Sequence, residues 1–247
     1  EILNQLVPIP QGTFLMGSNK KVPSNLFPSN LFVDTPQHQV SIPTFSMSKY
    51  LITNKQWKVV SHLPTIDIEL QPMHLFSNEK NDYPVEEISW YEALEFCNRL
   101  ASVTGKNIML PSESQWEYCC KAGTNTTYSF GDEITSGLAN YNNNKDISPV
   151  KSYPPNPWGL YDMHGNINEW CLDDWHRNYE GAPTDGSPWL DSKDNDNSIS
   201  QEKVIRGGAF YNNKLYCTSV SRQSYVSSVL YNRGRGKALG FRICCNH

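Results

Sequence analysis

The stretch Pro154-Pro155-Asn156-Pro157-Trp158-Gly159-Leu160-Tyr161-Asp162-Met163-His164-Gly165-Asn166-Ile167-Asn168-Glu169-Trp170 decides how the rest of the chain is read. Its prolines and glycines make it too irregular for a regular helix or strand. It nevertheless carries Trp158, Leu160, Tyr161, Met163, Ile167 and Trp170, an apolar load that belongs inside. Buried irregular backbone has carbonyls and amides that need partners. One economical partner is a hard cation. Asp162 and Glu169 offer carboxylate oxygens, Gly165 and Ile167 offer carbonyls, and such a mixed oxygen set suits Ca²⁺. The same spacing accommodates Asp162 as a turn cap and Glu169 as an ordinary solvated acid, and it lacks the ligand rhythm of an EF-hand.

A chain of 247 residues can bury a large core. A hydrophobic content of 38% with 13 Tyr and 7 Trp excludes disorder. No apolar run approaches the roughly 18 residues of a membrane span. The chain opens on Glu1, which reads as a trimmed or mature form. Its seven cysteines (Cys97, Cys119, Cys120, Cys171, Cys217, Cys244 and Cys245) include no C-x-x-C pair, which argues against a zinc ribbon. The net charge of −4 hides an asymmetry. From Lys203 to His247 there is no acidic residue and there are eight basic ones, so this last fifth is +8 and the remainder −12. These basic residues are interspersed with Ser, Tyr and Gly, without a stripe, and argue against a nucleic-acid partner.

Taken in order, Thr13 to Gly17 reads as a short strand, and Pro23 to Phe27 is repeated at once as Pro28 to Phe32, a duplication too short for a repeat architecture. Val40 to Ile52 alternates like a strand. Three capping boxes then open three helices: Thr53 with Gln56, Ser89 with Glu92, and Ser112 with Gln115, the last helix stopping at Gly123. Cys97, Cys119 and Cys120 fall on core faces. After Gly123 periodicity fades, and the polar run 191–197 lacks the glycine and terminal glutamate of an EF-hand loop. Lys203 to Gly208 and Leu239 to Ile243 read as strands. A few helices with short strands and many loops predict an α+β fold in one domain, 1–247.

Several motifs occur together and in order: Tyr50-Leu51-Ile52-Thr53-Asn54, Pro84-Val85-Glu86-Glu87-Ile88-Ser89-Trp90, Leu110-Pro111-Ser112-Glu113 with Trp116-Glu117-Tyr118, Trp158-Gly159-Leu160-Tyr161-Asp162-Met163 with Gly165-Asn166 and Glu169-Trp170, Arg206-Gly207-Gly208, and Leu239-Gly240-Phe241-Arg242. In this the chain resembles the formylglycine-generating-enzyme (sulfatase-modifying factor) family over nearly its whole length. The resemblance implies a C-type-lectin-like fold with little regular secondary structure. It also implies structural calcium, because the family's second calcium site falls on Asp162, Gly165, Ile167 and Glu169. Asn140 and Tyr141 match the start of the first site, but the segment after them is shorter, and no first site is assigned.

The family's oxidases hold copper through two thiolates after the Arg-Gly-Gly motif. Cys217 falls on the second, but Asn212 stands at the first, and an amide cannot replace a soft thiolate for Cu(I). The iron-dependent relatives use a histidine cluster that His38, His62, His74, His164, His176 and His247 do not match. Neither copper nor iron is expected, and on this reading the chain is not an enzyme. Between Tyr211 and Tyr231 lie four tyrosines and five serines among Asn212, Asn213 and Asn232, the composition of an antibody paratope. This resembles the variable proteins of diversity-generating retroelements, the treponemal kind above all, in which such a segment is diversified. The expected binding face is Tyr211, Asn213, Tyr216, Ser221, Gln223, Tyr225, Tyr231 and Arg235, within a diversified region at about 209–238. A protein or glycan ligand is expected at a bacterial cell surface or in the periplasm, with membrane attachment only through a lipid anchor outside this chain. Replacing Tyr216 and Tyr225 is expected to spare stability. The alternatives are an oxidase using Cys217 with a second thiol brought near by the fold, or a structural subunit of a surface complex.

Overall fold

The computed structural model describes residues 2–19, 34–70, 80–143, 146–191, 201–227 and 238–246. The duplicated segment 23–32, most of the polar run 191–197, and Tyr231 and Arg235 lie outside the described residues.

After a 3-10 turn at Ile2–Gln5, the strands are β1 (Leu6–Ile9), β2 (Gly12–Met16), β3 (His38–Ile42), β4 (Phe45–Ser48), β5 (Asn107–Met109), β6 (Asn168–Asp174), β7 (Glu202–Arg206), β8 (Arg222–Val226), β9 (Leu239–Gly240) and β10 (Cys244–Asn246). The helices are α1 (Asn54–Ser61), α2 (Trp90–Thr104) and α3 (Glu113–Lys121). One sheet has the order β1-β4-β10-β5, β2 and β3 form a hairpin pair, and a second four-stranded sheet has the order β8-β7-β6-β9. Only β6 and β9 run parallel within it. The mixture is α+β, with much of the chain in loops.

All three capping boxes form, with the hydroxyls of Thr53, Ser89 and Ser112 accepting from the amide three residues on and the Gln or Glu side chain reaching back. The stop of α3 comes one residue earlier than expected, because Ala122 takes the left-handed conformation at φ 45° ahead of Gly123. The alternation over 40–52 is split between two strands of different sheets, β3 against β2 and β4 between β1 and β10. The sequence pattern missed β6. It is buried on both faces, so it shows no alternation, and it emerges directly from the irregular stretch.

Two apolar clusters fill the interior. In one, Trp57 stacks on Phe96 at 5.7 Å and Phe241 meets both edge-on. In the other, Phe45, Met47, Trp116, Cys119, Cys120, Leu160 and Met163 pack together. Side-chain amides satisfy much of the irregular backbone. Asn156 Oδ1 accepts from the amides of Trp158 (3.0 Å) and Leu160 (3.1 Å), while its Nδ2 donates to Cys119 O at 2.7 Å. Asn166 bridges in the same way, accepting from Ser148 N at 2.9 Å and donating to Ser148 O at 3.1 Å.

Charged side chains of the motifs are spent inside. Arg242 donates to both oxygens of Glu169 (2.6 and 2.8 Å), and Trp116 Nε1 donates to the same carboxylate at 3.0 Å. Glu113 and Glu117, one turn apart on α3, receive Arg222 bidentately (2.7 and 2.8 Å) and Arg206 respectively. Lys203 pairs with Asp174 and lies over the Trp90 ring. Half of the eight C-terminal basic residues are thereby neutralised in the core, which explains why they form no surface stripe. Glu169→Gln leaves the Arg242 guanidinium buried without a counter-charge. It should cost about 3–5 kcal/mol, read as a fall in the urea midpoint with little change in slope.

Candidate functional site

The segment that follows Arg206-Gly207-Gly208 is held from beneath by buried groups. Arg206 Nη1 donates to Val220 O (2.9 Å) and Ser221 O (2.6 Å), and its Nη2 to Ser219 O at 3.2 Å. Gly208, at φ 72°, lets the chain fold back on itself. A side chain there would meet Cys217 Sγ and Tyr216 O, both at 2.8 Å. The Arg222–Glu113 pair secures the start of β8. The Arg-Gly-Gly motif is therefore a dock for residues 216–222, a role that adjacency in sequence does not reveal.

Asn212 does not face a metal. Its Oδ1 accepts the Ala209 amide at 2.8 Å and closes a turn. Cys217, two turns of backbone away, is fully buried, and burial pushes its thiol up to about 12. Positions 212 and 217 therefore do not make a two-thiolate copper site. The fold brings another thiol nearby. His164 Nδ1 lies 2.8 Å from Cys217 O, and Cys120 Sγ packs over the same ring at 3.7 and 3.8 Å from its nitrogens. The Ser129 amide donates to His164 Nε2 at 3.0 Å, so Nε2 is the acceptor and Nδ1 carries the proton that Cys217 O accepts. Burial holds this imidazole down at about 4, while Cys120 is pushed up to about 12. All seven cysteines are buried and free. Both Cys120 and His164 were visible as residues in the sequence; their meeting at Cys217 was not.

The expected binding-face residues fall in different settings. Tyr211 is 47% exposed, Asn168 hydrogen-bonds its hydroxyl, and Tyr225 stands close by. Tyr225 is half-buried and meets Trp170 edge-on at 6.3 Å, so it also packs on the core and its loss should not spare stability. Asn213 is exposed and caps the 3-10 turn Lys214–Cys217 through the Leu215 amide. Tyr216 and Gln223 are half-buried, Gln223 opposite Ile205 on β7. Ser221 is 3% exposed, beneath the surface it was expected to line.

The calcium set was tested in the same way. Ile167 O and Glu169 Oε1 converge beside Gly207, where a side chain would meet each at 3.8 Å. Asp162 is a buried carboxyl with the Lys151 amide at 3.3 Å as its donor, and burial pushes it up to about 6. Glu169, by contrast, is already compensated by Arg242. Among the described residues Asp162 has no ion pair of its own, although the Arg242 guanidinium acts on it from nearby.

The sulfatase-modifying factor enzyme 1-like domain model matches residues 2–247. The chain belongs to this family. Formylglycine-generating enzyme from Mus musculus is 27% identical over 190 residues, covering 68% of this chain and 45% of the enzyme. The chain spans between 14% and 53% of the length of the five curated relatives first matched. Among solved structures, PvdO from Pseudomonas aeruginosa aligns with a TM-score of 0.77 at 27% identity, covering 98% of this chain and 94% of that one. Treponema denticola variable protein 1 aligns with a TM-score of 0.74 at 21% identity, covering 98% and 95%, which establishes the shared fold. The formylglycine-generating enzymes among the relatives overturn the expectation that the chain is not an enzyme. That expectation rested on one missing thiol at position 212.

The folded His164 stays near 4 while the free imidazole sits at 6.5, so the unfolded state takes the proton first. Its contribution to stability is whole above about pH 6.5 and is lost as pH falls toward 4. Asp34 and Asp162, raised to about 6, and Asp173, raised to about 7, take protons in the folded state and act in the opposite sense. Urea titrations of the native chain and of His164→Gln should therefore show their stability difference shrinking across that window.

Proposed function

We propose that the chain binds a ligand through the surface presented by residues 211–226, on a scaffold shared with the formylglycine-generating enzymes. The observation that carries this reading is a division of labour along the segment. Arg206, Gly208, His164 and Glu113 hold its backbone and its buried side chains, while Tyr211, Asn213, Tyr216, Gln223 and Tyr225 lie exposed or half-buried between those anchors. Tyr offers large contact area at low entropic cost and Asn and Gln adaptable hydrogen bonds, which suits a protein or glycan ligand. Diversification of these positions at a bacterial cell surface or in the periplasm is part of the proposal, as is weak calcium held chiefly by Asp162 with Gly165 O, Ile167 O and Glu169.

The test is to sequence the locus across a clonal population and several isolates. Substitutions concentrated at 211, 213, 216, 223 and 225, with 206, 208, 217 and 222 constant, support the reading; an invariant segment defeats diversification. Tyr211→Ala should leave the melting temperature unchanged, whereas Tyr225→Ala should cost about 1–2 kcal/mol by removing its contact with Trp170.

A second reading is favoured by the family itself and by His164, which meets the Cys217 carbonyl on one side and Cys120 Sγ on the other: an oxidase of the formylglycine-generating type that uses Cys217 with Cys120 as its second thiol. Copper titration with thiol-dependent oxygen uptake separates the two. Uptake that disappears in both Cys120→Ser and Cys217→Ser establishes the oxidase.

A further inference from the structure

A cavity of about 430 Å³ opens between the end of β2, the end of α3 with the loop after it, and the segment 215–221. Its volume falls in the range of small-molecule sites. Leu15, Leu215 and Val220 give it apolar wall, Asn125 and Thr218 give polar groups, Asp34 brings a carboxylate, and Lys121, paired with Glu117, also lines it. Leu215, Thr218 and Val220 belong to the segment that also carries the tyrosine-bearing surface, whereas Leu15, Asp34 and Asn125 come from elsewhere in the chain.

We propose that this cavity binds a small ligand bearing a primary amine, with the Asp34 carboxylate as the partner of the ammonium group. Asp34 is 6% exposed, and among the described residues its own main-chain amide is the donor that holds its side chain. Among the described residues, every cation near it is already engaged. Arg206 is bound to Glu117, Arg222 to Glu113, and Lys121 to both Glu117 (2.7 Å) and Leu15 O (2.6 Å). Glu117 adds a like charge. Among the described residues Asp34 is thus the carboxylate of this network without a cation of its own, and it lines a space into which one can enter. A buried carboxylate gains most from a charged donor that satisfies it directly. The apolar wall opposite selects an amine carried on a short hydrocarbon body. Burial raises Asp34 to about 6, so the site is charged at neutral pH and loses its charge in mild acid.

The probes are hexylamine and its neutral counterpart hexanol, titrated against the whole chain with threonine and leucine methyl resonances as readout. The native chain should bind the amine at least about tenfold more tightly than the alcohol, the fold-change expected of one charge-assisted hydrogen bond. That preference should vanish in Asp34→Asn, and Leu215→Trp, which fills the cavity, should abolish both interactions. It should also shrink between about pH 7.5 and about pH 5, a range in which the amine itself stays protonated. Equal affinity for the two probes, a preference that survives Asp34→Asn, or binding that survives Leu215→Trp overturns the proposal. If Asp34→Asn does not fold, the pH series on the native chain decides: a preference unchanged in acid overturns it.

Discussion

The fold depends on carboxylates and guanidinium groups that meet out of contact with water. Glu113 and Glu117 rise from one face of α3 to Arg222 and Arg206, and Glu169 on β6 meets Arg242 near the chain's end. These pairs tie the helix to the second sheet, and β6 of that sheet to the segment just before β10. Burying both charges carries a desolvation cost that the pairing offsets only with good geometry and further hydrogen bonds. Those are present: Arg206 also takes three carbonyls, and Glu169 also takes the Trp116 indole. Such pairs are poor sources of net stability but exacting about arrangement, since any register other than the native one leaves a charge stranded.

The same economy explains how so much irregular backbone is buried. In a helix or sheet the main chain satisfies itself. Between 154 and 167 main-chain bonds to distant segments, such as Tyr161 N to Lys49 O and Gly165 N to Gly207 O, are joined by Asn156 Oδ1 at the Trp158 and Leu160 amides and by Arg242 at Tyr161 O, while Asn166 does the same for Ser148. A cation is one answer to buried carbonyls; side-chain amides are another, and this chain uses them heavily.

The proposed binding function rests on the contrast between a fixed frame and the exposed side chains it carries. The segment after Arg-Gly-Gly is anchored through carbonyls, a glycine contact and a buried ion pair, none of which depends on the identity of Tyr211, Asn213 or Gln223. Such a frame tolerates exchange of exposed side chains because the anchors lie below them. Family membership adds a second possibility at the same place, for Cys217 and Cys120 sit under this frame around one neutral imidazole. Both thiols are held protonated by burial, so chemistry there requires something that lowers their acidity or opens the site.

By itself the sequence determined the family, the α+β class and the three helix starts, because motif order and capping boxes are local patterns carried by a few adjacent residues. It also determined that 154–170 must be internal yet irregular, since tryptophans and prolines share the same run. Only the tertiary structure decided what the charged motif residues do. Glu113 and Arg222 are more than a hundred positions apart, and nothing in spacing says that they pair. It also decided that β6 is a strand, because a segment buried on both faces shows no alternation. The settings of Tyr211, Tyr216 and Tyr225, the burial of Ser221, the meeting of Cys120 with His164 and, among the described residues, the unpaired carboxylate of Asp34 belong to the same class. Each is set by which distant segments share a volume, and one-dimensional order does not contain that information.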